Sequence, residues 1–249
     1  MTTPGYGTFG NLGRDYQNAR QEFPAAVFTL FQDLLEAVPG ETRVLDIGCG
    51  TGIATRQLRE CGYIVSGSDV DADMIAIAKE IRGINYVVAP TRSLPFIDAE
   101  FDAATAFSAF HWFTDSPSVM EIQRVLKPGG LFMAVNKNDT AGFKTGYRQI
   151  LAGFIEGQMP DRKEKYDPRA VLEDAGFATV AEHVFPTEER YSHDEALAYL
   201  RSVSLWNLIP ESHKDAATRA VEEFCAREEN DGVLTRCIDV TVVTGRTRN

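Results

Sequence analysis

Short apolar runs alternate with amphipathic segments along the first half of the chain. Five of these runs predict buried strands: RVLDI (43–47), YIVSGSD (63–69), INYVVA (84–89), FDAATAF (101–107) and LFMAVN (131–136). The segments around them have the apolar spacing of helices, and they cover residues 24–38, 52–62, 72–81 and 116–126. Strands that alternate with helices in this way predict a parallel sheet with helices on both faces.

Turn and cap signals support the same elements. Asp71 is placed to cap the helix predicted over 72–81, because an aspartate before the first helical residue accepts backbone N–H bonds. KPGG (127–130) predicts a turn before the fifth strand.

The pattern changes after residue 140. Helices are predicted there at 143–158, 168–175, 193–205 and 211–229, with a strand at 178–185 and a final β-rich run at 236–247. We interpret the last two strands as an antiparallel pair at one sheet edge. The expected fold is therefore α/β: a doubly wound, mostly parallel seven-stranded sheet with the last strand antiparallel. The inserted helices are expected to form a lid over the carboxyl ends of the strands, where ligands of open α/β sheets bind.

The chain is expected to have three parts. Residues 1–23 form a lead-in segment, and residues 24–139 form the ligand-binding core. Residues 140–249 supply the lid helices and the final strand pair, which complete the same domain.

Composition narrows the classes of partner. The formal charge is −11, from 25 basic and 36 acidic residues, and such a surface repels nucleic-acid phosphates and anionic membranes. No apolar run has membrane-spanning length, and the first residues lack the pattern of a secretory signal. The four cysteines are scattered without metal-ligand spacing. We therefore expect a cytoplasmic monomer or homodimer with a small-molecule substrate, and no nucleic-acid partner, membrane partner or metal.

A glycine-rich turn follows the first predicted strand in VLDIGCGTG (44–52). Glycine permits positive φ and close approach by another molecule, so a ligand is expected against this turn. The spacing is G-x-G-x-G, and Ile53 stands where a dinucleotide fingerprint has its third glycine. This departure disfavours a nicotinamide-dependent oxidoreductase.

Two acids flank the turn. Asp46 precedes it, where a carboxylate repels a pyrophosphate and attracts a cation. Asp69 ends the next predicted strand, from which a carboxylate accepts hydrogen bonds from ribose hydroxyls in a doubly wound sheet. A ligand with adenosine at one end and positive charge at the other suits both acids, and S-adenosylmethionine is such a molecule.

Four motifs resemble those of class I S-adenosylmethionine-dependent methyltransferases of type 11, in order and in spacing. They are VLDIGCGTG, SDVDADMIAIAK, LPF with FDAATAFSAFHWF, and RVLKPGG, and they run from about residue 43 to 137. AFHWF is similar to the small-molecule subgroup that includes trans-aconitate methyltransferase. In that subgroup the lead-in segment folds over the cofactor.

The resemblance implies that seven positions bind the cofactor: Asp46, Gly48, Gly50, Asp69, Val70, Met74 and Thr91. The glycine backbone holds the methionine portion, and the first acid faces its ammonium through water. The second acid holds the ribose, the two apolar side chains lie along the adenine, and the threonine backbone meets the adenine edge. Relatives often read Gly-Asp-Ala-Glu before LPF, whereas this chain has Ala-Pro-Thr-Arg at 89–92. An acid that accepts from the adenine amine is therefore missing.

Six positions are candidates for contact with the methyl acceptor: Tyr16, Arg20, His111, Trp112, Asn136 and Arg201. His111 follows the fourth strand and is the candidate catalytic residue, as a substrate contact or a general base, or else it shapes the pocket wall. Trp112 is expected to be an aromatic wall. Asn136 follows the fifth strand and binds a polar group or lies in a solvated loop.

The remaining three candidates lie at the two ends of the chain. Tyr16 and Arg20 belong to the lead-in, where the arginine pairs with an anion or the segment is a solvated arm. Arg201 lies on a predicted lid helix and clamps a carboxylate bidentately, or is simply exposed.

The expected activity is methyl transfer from S-adenosylmethionine to a small molecule, with S-adenosylhomocysteine as product. O-methylation of a carboxylate by direct in-line transfer is preferred, and Arg-lined walls favour it. The alternative is methylation of a carbon, nitrogen or hydroxyl of a secondary metabolite, which a second titratable residue beside His111 favours. An alternative of another class is a non-catalytic protein that binds the cofactor to stabilise a complex.

Overall fold

The computed structural model describes residues 13–35, 38, 40–157 and 166–248. Its strands are β1 Arg43–Ile47, β2 Ile64–Asp69, β3 Asn85–Val88, β4 Phe101–Phe107, β5 Leu126–Asp139, β6 Ala178–Ser192 and β7 Val233–Arg246. Its helices are α1 Gly13–Ala19, α2 Ala25–Leu35, α3 Ile53–Glu60, α4 Ala72–Ala78, α5 Ser116–Val125, α6 Phe143–Ala152, α7 Pro168–Asp174, α8 His193–Arg201 and α9 Glu211–Glu228.

Some predicted segments extend beyond this part of the chain. Residues 1–12 of the lead-in, residues 36, 37 and 39 near the end of the first predicted helix, and residue 158 lie outside the described residues.

The seven strands form one sheet in the order β3-β2-β1-β4-β5-β7-β6. The pairs β1–β2, β1–β4, β2–β3 and β4–β5 are parallel, and the final strands are antiparallel. The predicted fold class is confirmed. Because the chain runs from β1 outward to β3 and then returns to β4 on the other side of β1, the strand order reverses at β1. Ligands of doubly wound sheets bind at the carboxyl ends of the strands at such a point.

The predicted cap at Asp71 is confirmed. Its side chain accepts from the backbone N–H groups of Asp73 at 3.0 Å and Met74 at 3.3 Å. The helix is shorter than the predicted 72–81, because the N–H groups of Glu80 and Ile81 bond three residues back and tighten its end.

Three later elements differ from their predicted bounds. The KPGG turn lies within β5: Phe101 pairs with Leu126 but Ala103 pairs with Leu131, so the intervening residues form an irregularity in one continuous strand. Strand β6 continues to Ser192, since alternating exposure along its polar second half suits a sheet edge better than a loop. Helix α8 ends at Arg201 and is followed by a 3-10 turn.

The chain divides into two compact units, each with its own core. The sheet unit comprises the described residues of Glu22–Lys137, Lys165–Phe185 and Val240–Asn249. The helical unit comprises those of Met1–Gln21, Asn138–Glu164 and Pro186–Asp239. The three-part organisation and the lid stay predictions. No helix in the described ranges is both long and apolar enough to cross a membrane.

The core of the sheet unit lies around β1, β4 and β5. Its largest fully buried side chains include Leu45, Phe101, Phe110 and Phe132. The core of the helical unit collects aromatic residues from α6, α8 and α9, including Phe143, Tyr199 and Phe224.

Candidate functional site

The turn after β1 has three glycines in the left-handed region, with φ of 69° at Gly48, 54° at Gly50 and 81° at Gly52. A Cβ atom on Gly48 would lie 2.6 Å from the Cβ of Ala109. The N–H group of Gly48 donates to the carbonyl of Ser68 at 2.8 Å, which ties the turn to the end of β2. The turn therefore presents bare, partly buried backbone at the point where the strand order reverses.

Tyr86 explains the third glycine in a different way. A Cβ atom on Gly52 would overlap the Tyr86 hydroxyl, and one on Gly67 in β2 would lie 2.7 Å from the Tyr86 ring. These two glycines make room for a buried aromatic side chain under the turn. Burial raises the pKa of Tyr86 to about 12.

Asp69 joins the turn to the end of β2. Its Oδ2 accepts from the N–H group of Gly50 at 2.8 Å, and its Oδ1 accepts from that of Asp71 at 2.9 Å. Burial raises the pKa of Asp69, and the N–H groups of Asp71 and Gly50 oppose that rise. Each carboxylate oxygen keeps a lone pair for another donor, so this partly buried side chain is suited to accept hydroxyl groups.

Asp46 lies beneath the turn, with only 1% of its surface exposed. Its Oδ2 accepts from the Thr55 hydroxyl at 2.6 Å, and its Oδ1 accepts from the Thr105 hydroxyl at 3.1 Å. Burial raises its pKa to about 7, although both hydroxyl groups act to lower it. Its role toward an ammonium group stays a prediction. Neither threonine was predicted from the sequence.

The predicted adenine-side positions differ in exposure. Val70 is 70% exposed beside Asp69, whereas Met74 is 2% exposed. The Met74 methyl lies 3.3 Å from where a Gly50 Cβ would be. Thr91 is partly buried in the turn after β3. The next residue, Arg92, lies where relatives often have an acid.

His111 is placed by an unusual backbone at the end of β4. Ser108 has a φ of 52°, and its N–H group donates to the carbonyl of Val135 at 2.7 Å. Left-handed backbone at a residue other than glycine is uncommon and often marks a functional site. It leads into the 3-10 turn Phe110–Trp112, which contains His111.

Tyr166 brings two predicted residues together. Its ring centroid lies 5.8 Å from that of His111, and its hydroxyl accepts from Asn136 Nδ2 at 3.4 Å. The Trp112 ring lies 4.7 Å from His111 and is accessible to solvent. Burial raises the pKa of Tyr166 to about 12, and the Asn136 bond opposes this rise. Asn136 lies within β5 rather than after it, because β5 continues to Asp139.

The other predicted residues lie in the helical unit. The Arg20 guanidinium carbon lies 4.8 Å from the centroid of the Tyr16 ring and 4.4 Å from that of the Tyr199 ring. The structure thus brings Tyr16 and Arg20 together. Arg201 pairs instead with Glu222 at 3.7 Å.

Neither Tyr166 nor three tyrosines of the helical unit, Tyr147, Tyr191 and Tyr199, were predicted from the sequence. Tyr166 occurs in EKYDPRA, a charged run typical of solvated surface. Tyr199 follows the apolar spacing of a helix, so the pattern indicates core rather than a binding site.

The chain is similar to known methyltransferases. A family profile described as "Methyltransferase domain" matches residues 45–134, which include the glycine turn, Asp69 and His111. An uncharacterized methyltransferase of Synechocystis sp. is 31% identical over 152 residues, covering 59% of this chain and 71% of the relative.

A second relative has a named activity. A malonyl-[acyl-carrier protein] O-methyltransferase of Erwinia pyrifoliae is 34% identical over 149 residues, covering 57% of this chain and 55% of the relative. The chain thus spans about half the length of that curated relative.

The fold has close counterparts among solved structures. The YcgJ protein of Bacillus subtilis has a TM-score of 0.57 at 18% identity, covering 91% of this chain and 100% of that one. With the profile match over the site and the Synechocystis relative, these findings show that the chain belongs to the class I S-adenosylmethionine-dependent methyltransferases.

Proposed function

We propose that this protein transfers a methyl group from S-adenosylmethionine to a small molecule. The observation that carries the proposal is the Asp69 carboxylate, held by the N–H groups of Gly50 and Asp71 beside the bare glycine turn. A carboxylate fixed in this way needs no reorganisation to accept the two hydroxyl groups of a ribose, which favours binding. Family membership supports the same cofactor.

The residues around the turn fit S-adenosylmethionine. The backbone at Gly48 and Gly50 is left-handed and free of side chains, so it can lie directly against the methionine portion. Val70 offers an exposed apolar surface to the adenine beside the ribose-binding acid. Asp46 adds negative charge beneath the turn when it is ionised, which favours a cationic ligand.

Methyl transfer requires little of the protein beyond alignment of the two reactants. When bound, S-adenosylmethionine supplies a methyl group that its sulfonium has already activated. The chain holds the acceptor in line with that group and excludes water, and orientation of this kind lowers a barrier by about 7–11 kcal/mol. We assign this orientation to His111, Trp112 and Asn136 of the sheet unit, and the substrate contacts expected of Tyr16, Arg20 and Arg201 stay predictions.

A carboxylate is the acceptor that we propose first. The Erwinia relative is named as an O-methyltransferase, and a carboxylate is already deprotonated at neutral pH, since its ordinary pKa is about 4. Transfer to its oxygen therefore requires no general base. His111 then serves as a contact and as part of the pocket wall.

One observation favours a second candidate, an acceptor that must lose a proton, such as a hydroxyl, a carbon or a nitrogen. The ring of Tyr166, a titratable residue, packs edge-on against the His111 ring, and Asn136 donates to the Tyr166 hydroxyl. A histidine supported in this way is suited to general-base catalysis, which contributes about 10²–10⁴-fold in rate.

The experiment that tests the proposal measures S-adenosylhomocysteine release with a panel of carboxylic acids and small phenols. Asp69→Ala should weaken S-adenosylmethionine binding by about 10- to 100-fold in calorimetry, because hydrogen bonds to a charged acceptor contribute about 1.5–3 kcal/mol. Asp102→Ala is the matched control, since that carboxylate also accepts a backbone N–H bond, from Arg43 at 2.9 Å, but lies at the amino end of β4.

Two results would contradict the proposal, and a third distinguishes a carboxylate acceptor from an acceptor that loses a proton. Near-wild-type affinity of Asp69→Ala contradicts the ribose assignment. Binding without turnover on any acceptor indicates a non-catalytic partner. With a turned-over acceptor, His111→Ala should cost less than about tenfold for a carboxylate and about 10²–10⁴-fold for an acceptor that loses a proton.

A further inference from the structure

Arg20 is a cation that lies over two aromatic rings. Its guanidinium lies over the rings of Tyr16 and Tyr199, with 4.8 Å and 4.4 Å between the guanidinium carbon and the ring centroids. Both distances are those of cation–π contacts. The five N–H donors of a guanidinium point outward in its plane, and they need acceptors there.

One of those in-plane donors has no acceptor among the described residues. The Arg20 Nε atom is buried and has no hydrogen-bond partner, and no carboxylate of the described residues forms an ion pair with this side chain. A buried donor without an acceptor is destabilising, and a buried charge without a counter-charge more so. This donor is therefore available to an acceptor from another molecule.

The neighbouring Arg236, whose Nε atom also has no hydrogen-bond partner, differs from Arg20 because it has two counter-charges. It is 3% exposed and pairs with Glu189 at 2.8 Å and Asp139 at 3.5 Å. Tyr191 also donates to Glu189, at 2.8 Å. Both carboxylates are thus bound to Arg236, although its guanidinium contacts the same Tyr199 ring as Arg20, at 5.3 Å.

The surroundings of Arg20 are aromatic and hydroxylated. Tyr147 and Tyr191 join Tyr16 and Tyr199 among the groups that interact electrostatically with the guanidinium. The four tyrosines come from separate parts of the helical unit: α1, α6, the end of β6 and α8. These surroundings suit an anion, which can accept from the guanidinium N–H groups and from tyrosine hydroxyls.

We infer that Arg20, between Tyr16 and Tyr199, binds the carboxylate of a small organic acid. A carboxylate fits the planar guanidinium fork with two parallel hydrogen bonds, whereas an ammonium group cannot reproduce that geometry. The inference concerns binding at Arg20 within the helical unit, and it does not depend on the proposed function. S-adenosylmethionine also carries a carboxylate, so the acid is tested in its absence.

The test is a binding titration of the full chain with benzoate and with succinate, followed by calorimetry and by ligand-observed NMR. Benzamide serves as the uncharged counterpart of benzoate, and inorganic phosphate as a non-planar anion. At least one acid should bind, while benzamide and phosphate should bind at least about tenfold more weakly.

Variants assign the binding to the guanidinium. Arg20→Lys keeps the charge without the fork and should weaken the acid about tenfold, and Arg20→Gln about 100-fold. Arg227→Gln is the matched control, because Arg227 is an exposed arginine of the same unit that also lies over a ring, that of Phe224 at 5.7 Å. It should bind the acid as the wild type does.

The inference is overturned if neither acid binds, if benzamide or phosphate binds as well as benzoate, or if Arg20→Lys binds the acid unchanged. It is also overturned if the Arg20 variants weaken S-adenosylmethionine binding and leave acid binding intact. Should Arg20→Gln fail to fold, Arg20→Lys still decides the outcome. Failure of the proposed methyl transfer appears separately, as absent S-adenosylhomocysteine release by a chain that still binds the acid.

Discussion

Replacing Asp46 by asparagine removes one ionisable group from beneath the glycine turn and keeps its shape. The Asp46 carboxylate accepts from the hydroxyls of Thr55 and Thr105. In Asp46→Asn, the amide oxygen can still accept from one hydroxyl, and the amide nitrogen can donate to the other. The substitution therefore changes the charge with little change in packing.

The size of the effect follows from the raised pKa of this carboxyl. Burial raises the pKa of Asp46 from 3.8 to about 7, and each tenfold change in an acid dissociation constant corresponds to about 1.4 kcal/mol. The upper limit is therefore about 4 kcal/mol. Because the folded protein holds this proton more tightly than the unfolded chain, the stabilisation is complete below pH 4 and is lost as the pH rises to about 7.

The assay is urea unfolding of the wild type and of Asp46→Asn at several pH values. Other titrating groups affect both proteins alike, so the difference between them isolates Asp46. Between pH 5 and pH 8 the wild type should lose about 2–3 kcal/mol of unfolding free energy relative to the variant. A difference that stays constant across this range refutes the claim that Asp46 is buried with a raised pKa.

Three further predictions concern packing, backbone conformation and a buried ion pair. Gly48→Ala should be more destabilising than Gly142→Ala in urea unfolding, because both glycines have positive φ but only Gly48 lacks room for a methyl group; equal losses would contradict the overlap. Ser108→Val should lower the free energy of unfolding by about 1–2 kcal/mol, whereas Ser108→Gly should be tolerated, since a left-handed φ excludes β-branched side chains. A calorimetric melting temperature for Ser108→Val at or above that of Ser108→Gly would contradict this. Glu189→Gln should cost about 3 kcal/mol or more, as it weakens the buried pair with Arg236; a loss below about 1 kcal/mol in urea unfolding would argue against it.

Local signals predicted much of the fold. The strands β1 to β4 are short apolar runs bounded by turn residues or acids, and each lies within a residue or two of its predicted position. The polar second half of β6 had no such signal, because an edge strand can be polar and still pair through its backbone. The KPGG segment has the composition of a turn, and only its pairing with β4 shows that it belongs to a strand.

The candidate site, like the fold, was predicted from the sequence only in part. The glycine spacing and the acid at the end of β2 indicated the cofactor, because a bare turn and a strand-end carboxylate are properties of a few adjacent residues. The contact of Tyr166 with His111 joins segments more than 50 residues apart. No short stretch of sequence contains such a contact.

The sequence by itself therefore determined the alternation of strands and helices, the bare turn and the family. Only the tertiary structure decided that Thr105 donates to Asp46, that Tyr86 occupies the space left by Gly52, and that tyrosines surround Arg20. The physical reason is the separation along the chain of the residues that interact. Backbone conformation and apolar spacing depend on near neighbours in the sequence. The ionisation of a buried carboxylate and the pairing of a buried cation depend on which distant side chains folding brings against them.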